Sequence, residues 1–286
     1  MSVAAGGGVR GALAQVASWP ASDPAAGVTD ATDTIAQTGA IDHRHEWASV
    51  TKLVTALCVL RLSDAGSVSL DEPAGPPGST VRHLLAHASG LGFEGTDVLA
   101  KPGQRRVYSN AGFDLLGALA SERTGLPFAE CAAATVFGPL AMSHSAIEGT
   151  PSAGGVGPLA DLLRLCRELL APALVTPGTL AAATTVAFPG IDGVLPGFGR
   201  QNPNDWGLGF EIRDHKSPHW TGTANSPATF GHFGKAGSFL WVDPVAGLAC
   251  AALAGVPFGA WAIEGWPKLS DEVLAQYGSY PTRPVM

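Results

Sequence analysis

The chain has 286 residues, 46% of them hydrophobic and 14% charged, enough apolar side chain for one large or two smaller packed domains, which excludes a disordered chain. A net charge of −7 with no basic cluster argues against nucleic acid as a partner, and no apolar stretch reaches spanning length without Gly or Pro, so no membrane partner is expected. Four widely spaced cysteines (Cys58, Cys131, Cys166, Cys250) read as reduced core residues rather than a disulfide frame or a zinc site, and with no secretory leader around Arg10 the expected location is the cytoplasm.

Residues 9–18 are expected to form a short amphipathic helix with Leu13, Val16 and Trp19 on its apolar side, stopped by Pro20 and Pro24. Residues 25–28 and 34–37 read as the two strands of a hairpin across an Asp-rich turn. In His43-Arg44-His45-Glu46 the alternating histidines have no third ligand nearby, so a solvent-facing strand end is expected there, not a metal site.

Trp47-Ala48-Ser49-Val50-Thr51-Lys52 then opens an apolar run that continues through Leu62 and stops at Gly66. Apolar on every side, the run reads as a buried helix. Ser49 sits at its start, where free backbone N–H groups and the positive dipole end collect, and Lys52 follows on the same face about one turn on. A buried lysine near a positive helix end is pushed toward its neutral form, and a neutral amine can take a proton from a serine hydroxyl. That is an activated nucleophile with its base. Taken alone, the same two residues read as an ordinary N-cap and a first-turn lysine, and it is the motifs further along the chain that favour the catalytic reading.

Beyond a Pro/Gly-rich bend, Ser79 or Thr80 caps an expected helix over 81–88, whose His83 and His87 at i, i+4 read as packing residues rather than metal ligands. Residues 90–95 fit the dinucleotide pattern G-x-G-x-x-G, but they follow a helix rather than a strand, so no cofactor is implied. Val107-Tyr108-Ser109-Asn110 leads into a helical pattern over 111–123, and two more follow over 128–137 and 160–170. From Trp206 the chain reads as strands: 206–212, then 238–242 opened by Gly231-His232-Phe233-Gly234-Lys235-Ala236-Gly237, then 248–254, with a closing helix over 270–277. Strands at both ends around a helical middle predict a discontinuous α/β subdomain, 1–66 with 205–286, and a helical subdomain, 67–204.

Three separated patterns thus stand in order: Ser49-Val50-Thr51-Lys52, Tyr108-Ser109-Asn110 and His232-Phe233-Gly234. With the connecting phrases at 83–91, 108–117 and 240–244, the chain resembles the serine β-lactamase-like superfamily from about residue 25 to residue 255. That group holds penicillin-recognising enzymes, class C β-lactamases and family VIII carboxylesterases. The resemblance implies an α+β fold, an antiparallel sheet flanked by helices with an inserted all-helical region. It implies Ser49 as the acylated nucleophile and Lys52 with Tyr108 as the proton-transfer pair, the phenol's pKa being lowered beside the ammonium. Asn110 would hold Lys52 and the substrate carbonyl or amide. The backbone N–H groups of Ser49 and Lys235 would form an oxyanion hole, and Gly234 would let substrate lie close to its strand.

The third motif departs from the Lys-Thr-Gly usual in β-lactamases. His232 supplies no permanent charge at neutral pH, and Phe233 replaces a hydroxyl by an apolar ring. Both changes point away from a carboxylate-bearing β-lactam or peptide. The expected function is a serine hydrolase working through an acyl-enzyme on small ester or amide substrates, a carboxylesterase. The alternatives are a β-lactamase or DD-peptidase-like enzyme, and a non-catalytic binding protein on the same scaffold. Loops 92–103, 194–205 and 220–230, with Trp206, Trp220 and Phe233, are the candidate pocket walls. The oligomeric state is left open.

Overall fold

A computed structural model describes residues 11–278. A 3-10 helix, Ala12–Ser18, precedes β1 (Ala25–Thr29), β2 (Thr34–Gly39) and the two-residue β3 (His45–Glu46). A 3-10 turn, Ala48–Val50, runs directly into α1 (Thr51–Asp64). Then come α2 (Val81–Leu85), α3 (Asn110–Thr124), α4 (Phe128–Ala132), β4 (Ala146–Ile147), β5 (Gly155–Gly157), α5 (Leu159–Leu170) and α6 (Pro177–Ala183). A hairpin, β6 (Gly193–Leu195) and β7 (Gly199–Gln201), leads to β8 (Glu211–Ile212), β9 (Phe230–Gly234), β10 (Ser238–Asp243), β11 (Leu248–Leu253) and α7 (Ala260–Tyr277).

Six strands form one sheet in the order β2-β1-β11-β10-β9-β8, every neighbouring pair antiparallel. Its central strands alternate with period two, sending side chains to opposite faces. Leu240, Val242, Ala249, Ala251 and Leu253 join the core on the α1 and α5 side. Phe239, Trp241, Leu248, Cys250 and Ala252 join a second core with Trp266, Leu269 and Val273 of α7. Both faces are therefore covered, and β1, β10 and β11 are buried throughout. Gly27 is what lets α5 lie flat on β1, since a Cβ there would meet Leu163 Cδ1 at 2.9 Å. Although α5 falls within the 67–204 stretch, it packs on β1, β10 and β11 of the sheet. The α+β architecture, an antiparallel sheet flanked by helices, is the one expected.

Helix α1 is buried at 11 of its 14 positions, as a helix apolar on all sides must be. It lies against α3 and α4 on one flank and against β9 on the other. Its first turn therefore opens where sheet and helices meet.

The local differences have physical reasons. The expected strand 206–212 is mostly a tight turn: Gly207 N–H donates to the Phe210 carbonyl at 2.8 Å and Gly209 has φ 95°, so only Glu211–Ile212 extends. The helix expected over 81–88 stops at Leu85, because His87 takes φ 53°. The helix over 128–137 becomes a π-turn at Ala133–Phe137. Helix α7 begins ten residues before the expected start, with Pro267 inside it; the buried faces of Ala262, Trp266 and Leu269 outweigh the hydrogen bond that proline forfeits. His45 is not solvent-facing but buried, paired with Gly157 across the sheet β3-β5-β4. In the expected helix over 9–18, Val9 and Arg10 lie outside the described residues, and Ala12–Ser18 takes the 3-10 form. The four cysteines are free and buried. No helix among the described residues is long and apolar enough to cross a membrane.

Candidate active site

The three motifs converge at the first turn of α1. Ala48, at φ 44°, turns the chain sharply before Ser49, leaving the hydroxyl half-buried at the edge of a cavity. Gly234 on β9 comes so close to this turn that a Cβ would lie 2.3 Å from the Trp47 carbonyl. The neighbouring Ser238 donates its hydroxyl to that same carbonyl at 2.7 Å. The Ser49 turn is thus seated on β9 and β10, and no residue larger than glycine fits between them.

Lys52 is fully buried. Its Nζ lies 3.2 Å from Ser49 Oγ, 2.6 Å from Asn110 Oδ1 and 2.9 Å from the Ser152 carbonyl. Burial lowers its pKa to about 7, against the opposing attraction of Asp114 and Glu94. The hydrogen-bond inventory agrees with a neutral amine. A carbonyl accepts only, and so does Asn110 Oδ1. An uncharged amine has two N–H bonds and one lone pair. In that form the two N–H bonds go to these two oxygens and the lone pair faces the Ser49 hydroxyl, whereas in the ammonium form all three N–H bonds donate, the third to Ser49 Oγ. Asp114 supports this indirectly, accepting the Ser152 N–H at 3.0 Å and so fixing that carbonyl.

Tyr108 sits beside this pair, its ring 4.9 Å from Lys52 Nζ. Burial pushes its phenol up, and only the neighbouring Ser49 hydroxyl pulls it down. This reverses the expectation of a phenolate beside an ammonium: desolvation penalises both charged forms, so the amine, not the phenol, is the group shifted toward base. His87 packs its ring on Tyr108 at 4.5 Å and accepts the Ser109 N–H on Nδ1 at 3.1 Å. It also touches Phe113 and Trp206, which explains its histidine-to-histidine spacing without a metal. His83 turns away, bonded through Nδ1 to Thr80 Oγ1 at 2.9 Å.

Ser109 caps α3, accepting the Gly112 N–H at 3.0 Å and donating to the Gly92 carbonyl at 2.7 Å. This cap orients Asn110, whose Nδ2 donates to Glu94 Oε1 at 2.9 Å. His232 on β9 donates from Nδ1 to the Phe233 carbonyl at 2.7 Å, so its Nε2 is the bare nitrogen, 3.5 Å from the Tyr108 hydroxyl. Burial lowers the His232 pKa to about 3. The ring is neutral in any ordinary buffer. Lys235 is exposed at the cavity's edge, and its carbonyl accepts the Phe258 N–H at 2.8 Å.

The cavity has a volume of about 760 Å³. Its walls include Trp206, Phe233, Phe258, Leu195 and Pro196, and its mouth is formed by Phe93, Leu99 and Val194, which are 53%, 55% and 59% exposed. Loop 92–103 and the β6–β7 hairpin line it, whereas Trp220 does not; it packs behind Phe233 at 5.7 Å. Behind the cavity wall lies a buried ionic cluster. Glu211 binds the Lys216 ammonium with one oxygen, and with the other accepts from His219 Nε2 and Trp220 Nε1, both at 2.9 Å. Burial works against the charge on Glu211, but its partners hold the carboxyl well below the usual carboxylate range. Lys216 also reaches the carbonyls of Asp205 and Ile212. Three acceptor-only neighbours require three N–H bonds, so this lysine is held as an ammonium by Glu211 and two carbonyls.

Seven expected residues (Ser49, Lys52, Tyr108, Asn110, His232, Gly234 and Lys235) therefore gather around one cavity. Glu94, Ser152, Glu211 and Phe258 were not anticipated. Glu94 lies in a loop already expected at the pocket, but nothing in its neighbours marks it; Phe258 has no sequence signal at all.

The Beta-lactamase family model matches residues 3–260. A β-lactamase from Mycobacterium bovis, known from its crystal structure, is 48% identical, covers 94% of this chain and 100% of its own, and superposes with a TM-score of 0.92. EstCE1, described as a hydrolase with promiscuous acyltransferase activity, is 18% identical with a TM-score of 0.73, covers 88% of this chain and 93% of its own, and bears on the fold alone. Esterase EstB from Burkholderia gladioli is 33% identical over 33% of this chain, which spans about a third, 36%, of that curated relative.

Proposed function

We propose, from the premise that the chain belongs to the Beta-lactamase family, that this hydrolase is a serine carboxylesterase acting through an acyl-enzyme on Ser49. The observation that carries the reading is the buried Lys52 amine, 3.2 Å from the Ser49 hydroxyl with its two N–H bonds already committed. Ser49 Oγ attacks the ester carbonyl carbon as its proton passes to Lys52 Nζ. The carbonyl oxygen, now negative, is received by the backbone N–H groups of Ser49 and Lys235. Collapse breaks the ester C–O bond. The alcohol leaves with a proton delivered from Lys52 through the Tyr108 hydroxyl, and the acyl group stays on Ser49. Water, deprotonated by the same amine, then releases the acid.

Three features favour an uncharged ester over a β-lactam carboxylate. His232 is neutral, Phe233 offers a ring where a hydroxyl is usual, and the cavity is walled mainly by apolar side chains. Its volume suits a substrate with a sizeable acyl or alcohol group. β-Lactam hydrolysis is the second reading, favoured by the 48% identity to a protein named a β-lactamase.

The decisive experiment compares the wild type with Ser49→Ala on p-nitrophenyl esters, a chromogenic cephalosporin and a D-alanyl-D-alanine peptide, and follows fluorophosphonate labelling by mass spectrometry. The expected result is a single label on Ser49, ester turnover exceeding β-lactam turnover, and loss of about a thousandfold or more in Ser49→Ala. Equal ester turnover by the two proteins overturns the reading. An unlabelled Ser49 supports a binding protein, and faster cephalosporin cleavage supports the second reading.

A further inference from the structure

The Asn110 amide has two ends that could be exchanged without altering its shape. Its orientation decides what Lys52 can do. With Oδ1 toward Nζ, the amide takes a hydrogen from Lys52. Flipped, its NH2 would point at Nζ and claim the amine's lone pair, removing it from Ser49. Nothing in Lys52 itself prevents the flip, because an amine both donates and accepts.

Glu94 prevents it. Its Oε1 lies 2.9 Å from Asn110 Nδ2, and a carboxylate has no hydrogen to give. An oxygen facing Glu94 would set acceptor against acceptor. We propose that Glu94 is a positioning residue that locks the Asn110 amide with its oxygen on Lys52 and thereby keeps the amine's lone pair on Ser49. Glu94 acts through Asn110, whose side chain lines the cavity. The same backbone stretch secures the geometry twice, since the Phe93 carbonyl accepts the Asn110 N–H at 2.8 Å.

A second consequence follows from charge. Lys52 is faced by Glu94, Asp114, Tyr108, His87 and His232. Burial keeps the tyrosine and both histidines uncharged, so the two carboxylates are what offset the lysine's desolvation. Removing the Glu94 charge leaves Asp114 alone to do so.

This inference rests on the reading of Lys52 as the base, so its test needs a readout apart from turnover. Glu94→Gln loses the charge and keeps an acceptor for Asn110, but brings an NH2 that tolerates the flipped amide; Glu94→Ala loses the charge and every contact. The Lys52 side chain is titrated by NMR through its Cε and Nζ resonances in wild type and both variants, alongside pH profiles of kcat and KM on a p-nitrophenyl ester. Expected in Glu94→Gln is a Lys52 titration displaced to lower pH, with the acid limb of kcat/KM moving in step and kcat lowered in part, since the new amide accepts either orientation of Asn110. Expected in Glu94→Ala is the same displacement with kcat reduced about tenfold and KM little changed, the cost of a freed amide. A thermal melt shows that both remain folded. An unmoved Lys52 titration together with wild-type kcat in Glu94→Ala overturns the assignment. Should Ser49→Ala still turn over the ester, the hydrolase reading falls, and the NMR titration still decides the role of Glu94.

Discussion

Lys52→Met is expected to lower kcat/KM for an ester by about a thousandfold, within the range that a positioned general base supplies. The substitution keeps length and apolar stem and deletes the nitrogen that lies 3.2 Å from Ser49 Oγ. The wild type should lose kcat/KM tenfold per pH unit below about 7, where the amine becomes an ammonium that cannot accept the serine proton. The variant's residual activity should show no such limb. Stability should respond as well. The folded pKa is depressed from 10.5 to about 7, so the unfolded chain binds the proton more tightly through that window, and the wild type loses stability as pH falls from about 10 to about 7. Methionine has no such loss but leaves Asn110 Oδ1 and the Ser152 carbonyl without a donor, at about 1–3 kcal/mol each. The variant should therefore trail the wild type at pH 10 and gain on it by about 3–4 kcal/mol by pH 7. Urea titrations at both pH values measure this. A constant difference between the two proteins would mean that Lys52 is charged in the fold.

Glu211→Gln is expected to cost about 3–5 kcal/mol, the largest loss of stability for a change that removes no volume. Wild-type Glu211 receives hydrogens from three sides, from Lys216, His219 and Trp220. His219 cannot reverse its role, because its Nδ1 already accepts the Thr221 N–H at 3.1 Å. A glutamine must turn its NH2 toward one of these donors and leaves the Lys216 ammonium buried without a counter-charge. Because β8 and Trp206 hold one side of the cavity through this cluster, the variant should also show a raised KM. Denaturation midpoints at pH 7 check the first expectation. A loss below about 1 kcal/mol would place Glu211 among ordinary surface pairs.

The sequence makes the groups that meet at the cavity legible and leaves the reason for their geometry hidden. Ser49 and Lys52 are readable together because one helix turn relates them, and Tyr108 and Asn110 because a cap and a helix start accompany them. The family resemblance then supplies their order. What sequence cannot carry is desolvation: Tyr108 and Lys52 compete for one charge, and only the burial of both shows that the amine yields. Glu94 lies in a loop whose path no periodicity governs. The ionic cluster was hidden because only Glu211 falls in a stretch that reads as a strand, 206–212, and Gly209 folds that stretch back on itself. Proline concealed the start of α7, a case in which local preference loses to tertiary burial.

The burial of α1 along nearly its whole length has one further outcome. Proteins usually come apart piecemeal on warming, mobile rims first and inner segments last. Here Ser49 sits in the 3-10 turn Ala48–Val50 that runs directly into this segment and is seated on β9 and β10, so fraying of the outer helices alone leaves its turn in place. Heat inactivation measured by initial ester rates should coincide with the collapse of near-ultraviolet circular dichroism, and a cooled sample that regains its spectrum should regain its rate in the same proportion.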